Sequence, residues 1–129
     1  MATQTKFAHK AAALGKKPPQ SSQEMPCLDS SLIAYCVEGE SMLPTIRPGD
    51  IVLCTVANDS DILENEIYTV CTEMGVWVKR IQKCLDRFGN CTHLKLISDN
   101  DTLFEPFTVA VQEIVKILKV SKKLTAFEL

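Results

Sequence analysis

The sequence has 129 residues, of which 46% are hydrophobic and 6% aromatic, a composition typical of one soluble domain with a hydrophobic core. No apolar run is long enough to cross a bilayer, and the early apolar patch at residues 11–14 is too short for a signal peptide. We therefore expect a cytoplasmic protein that does not associate with a membrane.

The formal net charge of −2 conceals an uneven distribution of charge along the chain. Residues 1–23 hold four of the 14 basic residues and no acidic residue, so the other ten basic residues stand against all 16 acidic ones. Neutralisation of phosphates by lysine and arginine supplies most of the non-specific affinity for DNA. The acidic main part of the chain is therefore not expected to bind duplex DNA directly.

The six cysteines do not form a C-x-x-C pair, the spacing that would favour a metal or redox site. Cys54, Cys71 and Cys84 lie within apolar runs, where a cysteine usually behaves as a small buried hydrophobe. The two histidines have no partner at ligand spacing. We expect neither a metal nor another cofactor.

The first 26 residues are predicted to be a flexible basic tail, and residues 27–129 the folded domain. Lysines, two consecutive prolines and a Gln-Ser-Ser-Gln run give the tail no periodicity. Apolar runs then predict strands at 31–37, 51–56, 67–72, 76–81, 92–97 and 109–120, the last broken near Gln112 and Glu113. Short strands separated by turns predict an all-β fold, an antiparallel meander closed as a barrel-like or clipped sheet.

The most tightly specified stretch is 37–50, which places two glycines, two prolines and a serine between two apolar runs. Within it, Pro48 and Gly49 fit the central pair of a type II turn, because proline fixes φ and glycine accepts a positive φ. Such a stretch can hold a side chain in place, and Ser41 is the candidate.

A serine hydroxyl is a weak nucleophile unless a neighbouring base takes its proton, and Lys79 is the candidate base. Lysine is neutral at working pH only if burial lowers its pKa by roughly three units, at a cost of about 4 kcal/mol. If 76–81 is a strand, alternation places Lys79 on the same face as Trp77 and Ile81, among apolar neighbours. Arg80 then lies on the opposite face.

The residue types alone also fit a simpler interpretation. Ser41 can be a turn or helix-capping residue, and Lys79 a strand lysine whose amine reaches water. Glu38, Glu40 and Asp50 could be assigned acid–base roles, but as turn residues they are expected to be solvated.

Several motifs occur in an order that resembles the LexA and phage-repressor peptidase family. They are the run 39–50, then Ile67-Tyr68, then Val78-Lys79-Arg80-Ile81, then the run 96–100, and the similarity spans residues 35–120. The resemblance implies an all-β peptidase domain with a Ser-Lys dyad, in which Ser41 is the nucleophile and Lys79 the general base. It also implies backbone N–H groups near Ser41 and Met42 as an oxyanion hole.

The resemblance further implies a homodimer and cleavage of the chain itself at an Ala-Gly or Cys-Gly bond upstream of the serine, in a repressor or SOS-type response. Cleavage in the family is often stimulated by the RecA filament. Bacterial signal peptidases share some of these motifs but act at membranes, and the absence of a membrane segment disfavours them.

Two features of this sequence depart from the family pattern. The sequence predicts no DNA-binding domain, and no Ala-Gly or Cys-Gly pair lies upstream of Ser41, where the first glycine follows Leu14. Cleavage at Leu14-Gly15 is within reach of the intervening chain, although a site shaped for alanine would resist leucine. Two functions therefore remain open: a peptidase that cleaves itself or a partner, and a non-catalytic dimerisation or regulatory module bound to a repressor or a translesion polymerase.

Overall fold

The computed structural model describes residues 22–25 and 32–125, and within these residues it has eight strands and two short 3₁₀ helices. The helices are Asp59–Asp61 and Val111–Glu113. The strands are β1 (Ser22–Met25), β2 (Ile33–Val37), β3 (Ile51–Val56), β4 (Ile67–Thr72), β5 (Gly75–Leu85), β6 (Cys91–Ile97), β7 (Phe107–Ala110) and β8 (Ile114–Leu124).

The strands form one curled antiparallel sheet in the order β1-β2-β3-β8-β4-β5-β6-β7. The predicted all-β fold is thus confirmed, and β8 lies between β3 and β4 instead of following the chain order. The predicted break near Gln112 is also confirmed, because the 3₁₀ helix there separates β7 from β8. A two-residue loop joins β4 to β5, since Thr72 pairs with Gly75.

Strand β1 is not predicted from the sequence, because it falls within the segment expected to be a flexible tail. Its residues, Ser-Gln-Glu-Met, lack apolar alternation, so local propensity gives no strand signal. The strand forms because the edge of β2 offers main-chain partners, with Ser22 opposite Val37 and Met25 opposite Ala34. The rest of the segment 1–26 lies outside the described residues.

The two faces of the sheet bury separate apolar clusters, as alternation along a strand requires. One cluster contains residues of β2, of the turn that follows it, and of β3, β4, β5 and β8. Met42, Val78 and Leu118 are among them. The other lies on the opposite face of β4, β5 and β6 and includes Trp77 and Ile81. Neighbouring residues of β5 therefore belong to different environments.

The described part of the chain lacks two kinds of feature. No helix there is long and apolar enough to span a membrane. Residues 22–25 and 32–125 also contain no group of three or more His, Cys, Asp or Glu side chains that could hold a metal ion.

Candidate active site

The turn between β2 and β3 is closed by hydrogen bonds at its base. Val37 N–H donates to the Asp50 carbonyl and Gly49 N–H to the Val37 carbonyl, both at 2.8 Å. The predicted turn at Pro48 and Gly49 is confirmed, because Gly49 has a φ of +92° and Asp50 N–H donates to the Arg47 carbonyl at 3.0 Å. The turn is therefore anchored to the sheet at both of its ends.

Asp50 is a structural residue of this turn, and the expectation that it is solvated is wrong. Its side chain is only 2% exposed, and its carboxylate accepts the Arg47 N–H at 2.9 Å. The Asp50 carboxylate therefore helps to close the turn from a buried position. Glu38 and Glu40, by contrast, are exposed, as expected.

Ser41 and Met42 are buried in the middle of the turn, with 7% and 1% of their surfaces exposed. Leu43 N–H donates to the Glu40 carbonyl at 3.2 Å, and Ile46 N–H to the Met42 carbonyl at 2.9 Å. No hydrogen bond within the described residues uses the N–H group of Ser41 or Met42. These two backbone donors are therefore unpaired in the described part of the chain.

Lys79 is buried in the middle of β5, with 1% of its surface exposed. It shares a face with Trp77 and Ile81, both equally buried, and it lies opposite Tyr68 of β4. Its Nζ lies 5.8 Å from the centroid of the Phe104 ring. Removal from water lowers the pKa of Lys79 to about 8, because the charged amine loses its hydration.

The Lys79 amine has a hydroxyl partner, but this partner is not Ser41. Lys79 Nζ donates to Ser98 Oγ at 2.9 Å, and Ser98 is itself 3% exposed. In the described part of the chain, no hydrogen bond joins Ser41 Oγ to Lys79 Nζ. The direct contact expected of a closed dyad is thus not formed in this structure.

Ser41 and Lys79 are nevertheless tied to the same three residues, 98–100, which we call the bridging segment. Its first residue, Ser98, accepts the hydrogen bond from the Lys79 amine. Its last residue, Asn100, donates its N–H to the Ser41 carbonyl at 3.0 Å and its Nδ2 to the Glu40 carbonyl, also at 3.0 Å. The bridging segment therefore brings the turn of Ser41 to the strand of Lys79.

Asp99, the middle residue of the bridging segment, binds both sides. Arg80 donates Nε to Asp99 Oδ1 at 2.7 Å and a second guanidinium N–H to Oδ2 at 3.1 Å. The hydroxyl of Thr45 also donates to Asp99 Oδ2. Planar bidentate pairing of this kind fixes the orientation of both groups, so Asp99 joins β5 to the turn of Ser41.

The sequence predicts Ser41, Met42 and Lys79 as site residues but assigns no role to the residues that connect them. Ser98, Asp99 and Asn100 enter the prediction only as part of the run 96–100 that carries the family resemblance, because their residue types are those of an ordinary loop.

Comparison with protein families finds a match that spans most of the chain. The family model described as Peptidase S24-like covers residues 10–121, a range that includes the turn of Ser41, strand β5 and the bridging segment. No curated protein matches the chain.

Proposed function

The chain belongs to the Peptidase S24-like family, and on that basis we propose that it is a serine peptidase in which Ser41 is the nucleophile and Lys79 the general base. One observation carries the proposal: the amine of Lys79 is buried, so its pKa falls to about 8 and a useful fraction is neutral near physiological pH. A lysine placed only for solubility would not be buried in this way.

The proposed reaction is acyl transfer in two steps. As Ser41 Oγ attacks the scissile carbonyl, its proton passes to the neutral amine of Lys79, and the carbonyl oxygen becomes an oxyanion. The free N–H groups of Ser41 and Met42 are the donors proposed for this oxyanion. The ammonium of Lys79 then gives its proton to the departing amine, which leaves an ester on Ser41.

Water completes the cycle by hydrolysing the ester. Lys79, neutral again, takes a proton from water as the hydroxide adds to the ester carbonyl, and it returns the proton to Ser41 Oγ as the acid leaves. For either step the amine must come within hydrogen-bond distance of Ser41 Oγ. Catalytic hydrogen bonds that are long without substrate commonly shorten in the bound complex, and we propose that this one does.

The biological setting rests on the family resemblance. The proposed substrate is a segment of this chain or of a partner, cut in a repressor or SOS-type response in the cytoplasm. The proposed assembly is a homodimer, with a RecA filament, a repressor or a translesion polymerase as possible partner classes. Leu14-Gly15, the bond considered for self-cleavage, lies outside the described residues.

A second function is favoured by two observations. Ser41 Oγ and Lys79 Nζ do not share a hydrogen bond, and the sequence has no Ala-Gly or Cys-Gly pair upstream of Ser41. A non-catalytic dimerisation or regulatory module that keeps the fold would have both properties.

Intact-mass measurement separates the two functions. The wild-type protein, Ser41→Ala and Lys79→Ala are incubated at pH 7 and pH 9.5, alone and with candidate partners. The peptidase proposal expects fragments from the wild type only, formed faster at pH 9.5. If all three proteins stay intact with every partner, or all three are cut alike, the regulatory module is the better account.

A further inference from the structure

Ser98 lies immediately beyond the hydrogen-bonded ladder between β5 and β6. The last pair of that ladder joins Arg80 to Ile97. One step beyond this pair, in the same register, Lys79 of β5 lies opposite Ser98. Because Arg80 and Ile97 are opposite, Lys79 and Ser98 point to the same face of the sheet. The resulting 2.9 Å hydrogen bond between two side chains exposed by 3% or less is shielded from water.

The neutral amine of lysine carries two N–H groups and one lone pair, and only the lone pair can accept a proton. If the amine rotates freely, the lone pair samples every direction that the stem allows. The bond to Ser98 Oγ uses one N–H and restricts that rotation, while the Phe104 ring lies 5.8 Å from Nζ. The charged form has three N–H groups, so the bond to Ser98 can persist after proton transfer.

Ser98 is itself held in place relative to Ser41. The next residue, Asp99, is fixed by its bidentate pair with Arg80, and Asn100 donates its N–H to the Ser41 carbonyl at 3.0 Å. Ser98 is therefore linked to the turn of Ser41 through the two residues that follow it. The position of the amine is set by the same segment that sets the position of the nucleophile.

We propose that Ser98 is a positioning residue for the general base: by accepting one N–H of Lys79 it directs the lone pair of the amine towards Ser41. This inference rests on the proposed function, since it assigns Ser98 a role in proton transfer from Ser41. Ser98 does not contact the substrate, and it acts only through Lys79.

Threonine and valine at position 98 provide a matched test, because their side chains have nearly the same shape and only threonine has a hydroxyl. Ser41 is labelled with a fluorophosphonate, a reagent that loses fluoride to a nucleophilic serine oxygen, and intact mass gives the rate. At pH 9.5 Lys79 is almost wholly neutral, so differences in rate report orientation and not protonation. We expect Ser98→Thr to label within about threefold of the wild type and Ser98→Val about tenfold more slowly or worse, the loss associated with one buried hydrogen bond.

The titration of the Lys79 amine supplies a readout that needs no catalysis. In lysine labelled with ¹⁵N, the Nζ shift of Lys79 is followed from pH 6 to pH 10. An acceptor stabilises the ammonium more than the amine, so the midpoint should lie lower in Ser98→Val than in Ser98→Thr. If the Ser98 hydroxyl does not act on the amine, the two midpoints should be equal.

The possible outcomes separate this inference from the proposed function. Slow labelling and a lower midpoint in Ser98→Val, both restored in Ser98→Thr, support the positioning role. Equal labelling rates for the threonine and valine variants overturn it, even if the wild type is an active peptidase. If the wild type itself is not labelled at Ser41, the proposed function fails and the role of Ser98 in proton transfer fails with it, while the titration still reports whether the hydroxyl holds the amine.

Discussion

Replacing Lys79 with methionine should stabilise the fold near neutral pH, which is the reverse of the usual effect of a substitution in a core. A pKa of about 8 in the folded chain against 10.5 for an ordinary lysine means that the folded state binds the proton less well than the unfolded state does. The difference corresponds to about 3 kcal/mol of lost stability at pH 7, where both states are protonated. Loss of the bond to Ser98 offsets about 1 kcal/mol of the gain, so Lys79→Met should be more stable by about 2 kcal/mol.

The gain should shrink as the pH rises. The folded-state pKa is lowered, so the penalty is complete below about pH 8 and disappears as the unfolded state also loses its proton towards pH 10.5. At pH 9 the penalty is about 2 kcal/mol, and the net gain of Lys79→Met falls to about 1 kcal/mol. The same argument explains why a buried lysine that has no ion pair among the described residues, and is therefore costly to the fold, indicates a functional role.

Urea unfolding at pH 7 and pH 9 measures these values, with the fluorescence of Trp77 as the signal. Trp77 is the single tryptophan and is 1% exposed, so it reports loss of the core around Lys79. Lys119→Met is the matched control, because Lys119 also lies opposite Tyr68 but is about one third exposed and paired with Glu66 at 3.3 Å. Its effect should be within about 0.5 kcal/mol of zero at both pH values. A Lys79→Met protein that is less stable than the wild type at pH 7, or a gain that does not fall at pH 9, would refute the reasoning.

Three further predictions concern the surroundings of the site. Asp99→Ala removes the ion pair with Arg80 of β5 and should reduce fluorophosphonate labelling of Ser41 at least tenfold. Asp101→Ala, in the adjoining exposed loop, is the control and should leave the labelling rate unchanged. Equal rates in the two variants would show that the bridging segment does not hold the site in place. Ser22→Ala removes a fully buried hydroxyl that has no hydrogen-bond partner among the described residues. Urea unfolding should therefore show a stability equal to the wild type or higher by up to about 1 kcal/mol, and a loss of more than about 1 kcal/mol would reveal a partner for this hydroxyl. Burial raises the pKa of Cys54 to about 11 and also raises the pKa of Cys71. Peptide mapping after iodoacetamide treatment at pH 8 should therefore find both thiols unmodified in the folded protein and modified in urea. Rapid modification without urea would contradict their burial.

The sequence predicts the framework of this protein well where the physics is local. The alternation of side chains in β5 places Lys79 beside Trp77 and Ile81, and the structure confirms that face. Proline and glycine at positions 48 and 49 predict the turn, because their backbone preferences act without help from distant residues. The elements that carry the candidate site therefore follow from short-range patterns.

The connections between those elements cannot be predicted in the same way. Asn100 contacts the carbonyl of Glu40 across a separation of 60 residues, and Asp99 N–H lies 3.4 Å from the sulfur of Met42 across 57 residues. The run 96–100 takes part in the family resemblance, but the residue types of Ser98, Asp99 and Asn100 do not predict these contacts, because the same types occur in ordinary solvated loops. The edge strand β1 has the same origin, since its pairing depends on β2 and not on its own residues.

The most direct test of the central claim is the pH dependence of Ser41 labelling by the fluorophosphonate, with the modified residue identified by peptide mapping. A general base with a pKa of about 8 predicts a rate that rises about tenfold from pH 7 to pH 9 and then levels off, and Lys79→Met should abolish the rise. Three results would contradict the claim that a buried, neutral Lys79 activates Ser41. They are a rate that still climbs tenfold for each pH unit above pH 9, labelling at another serine, and a Lys79→Met profile equal to that of the wild type.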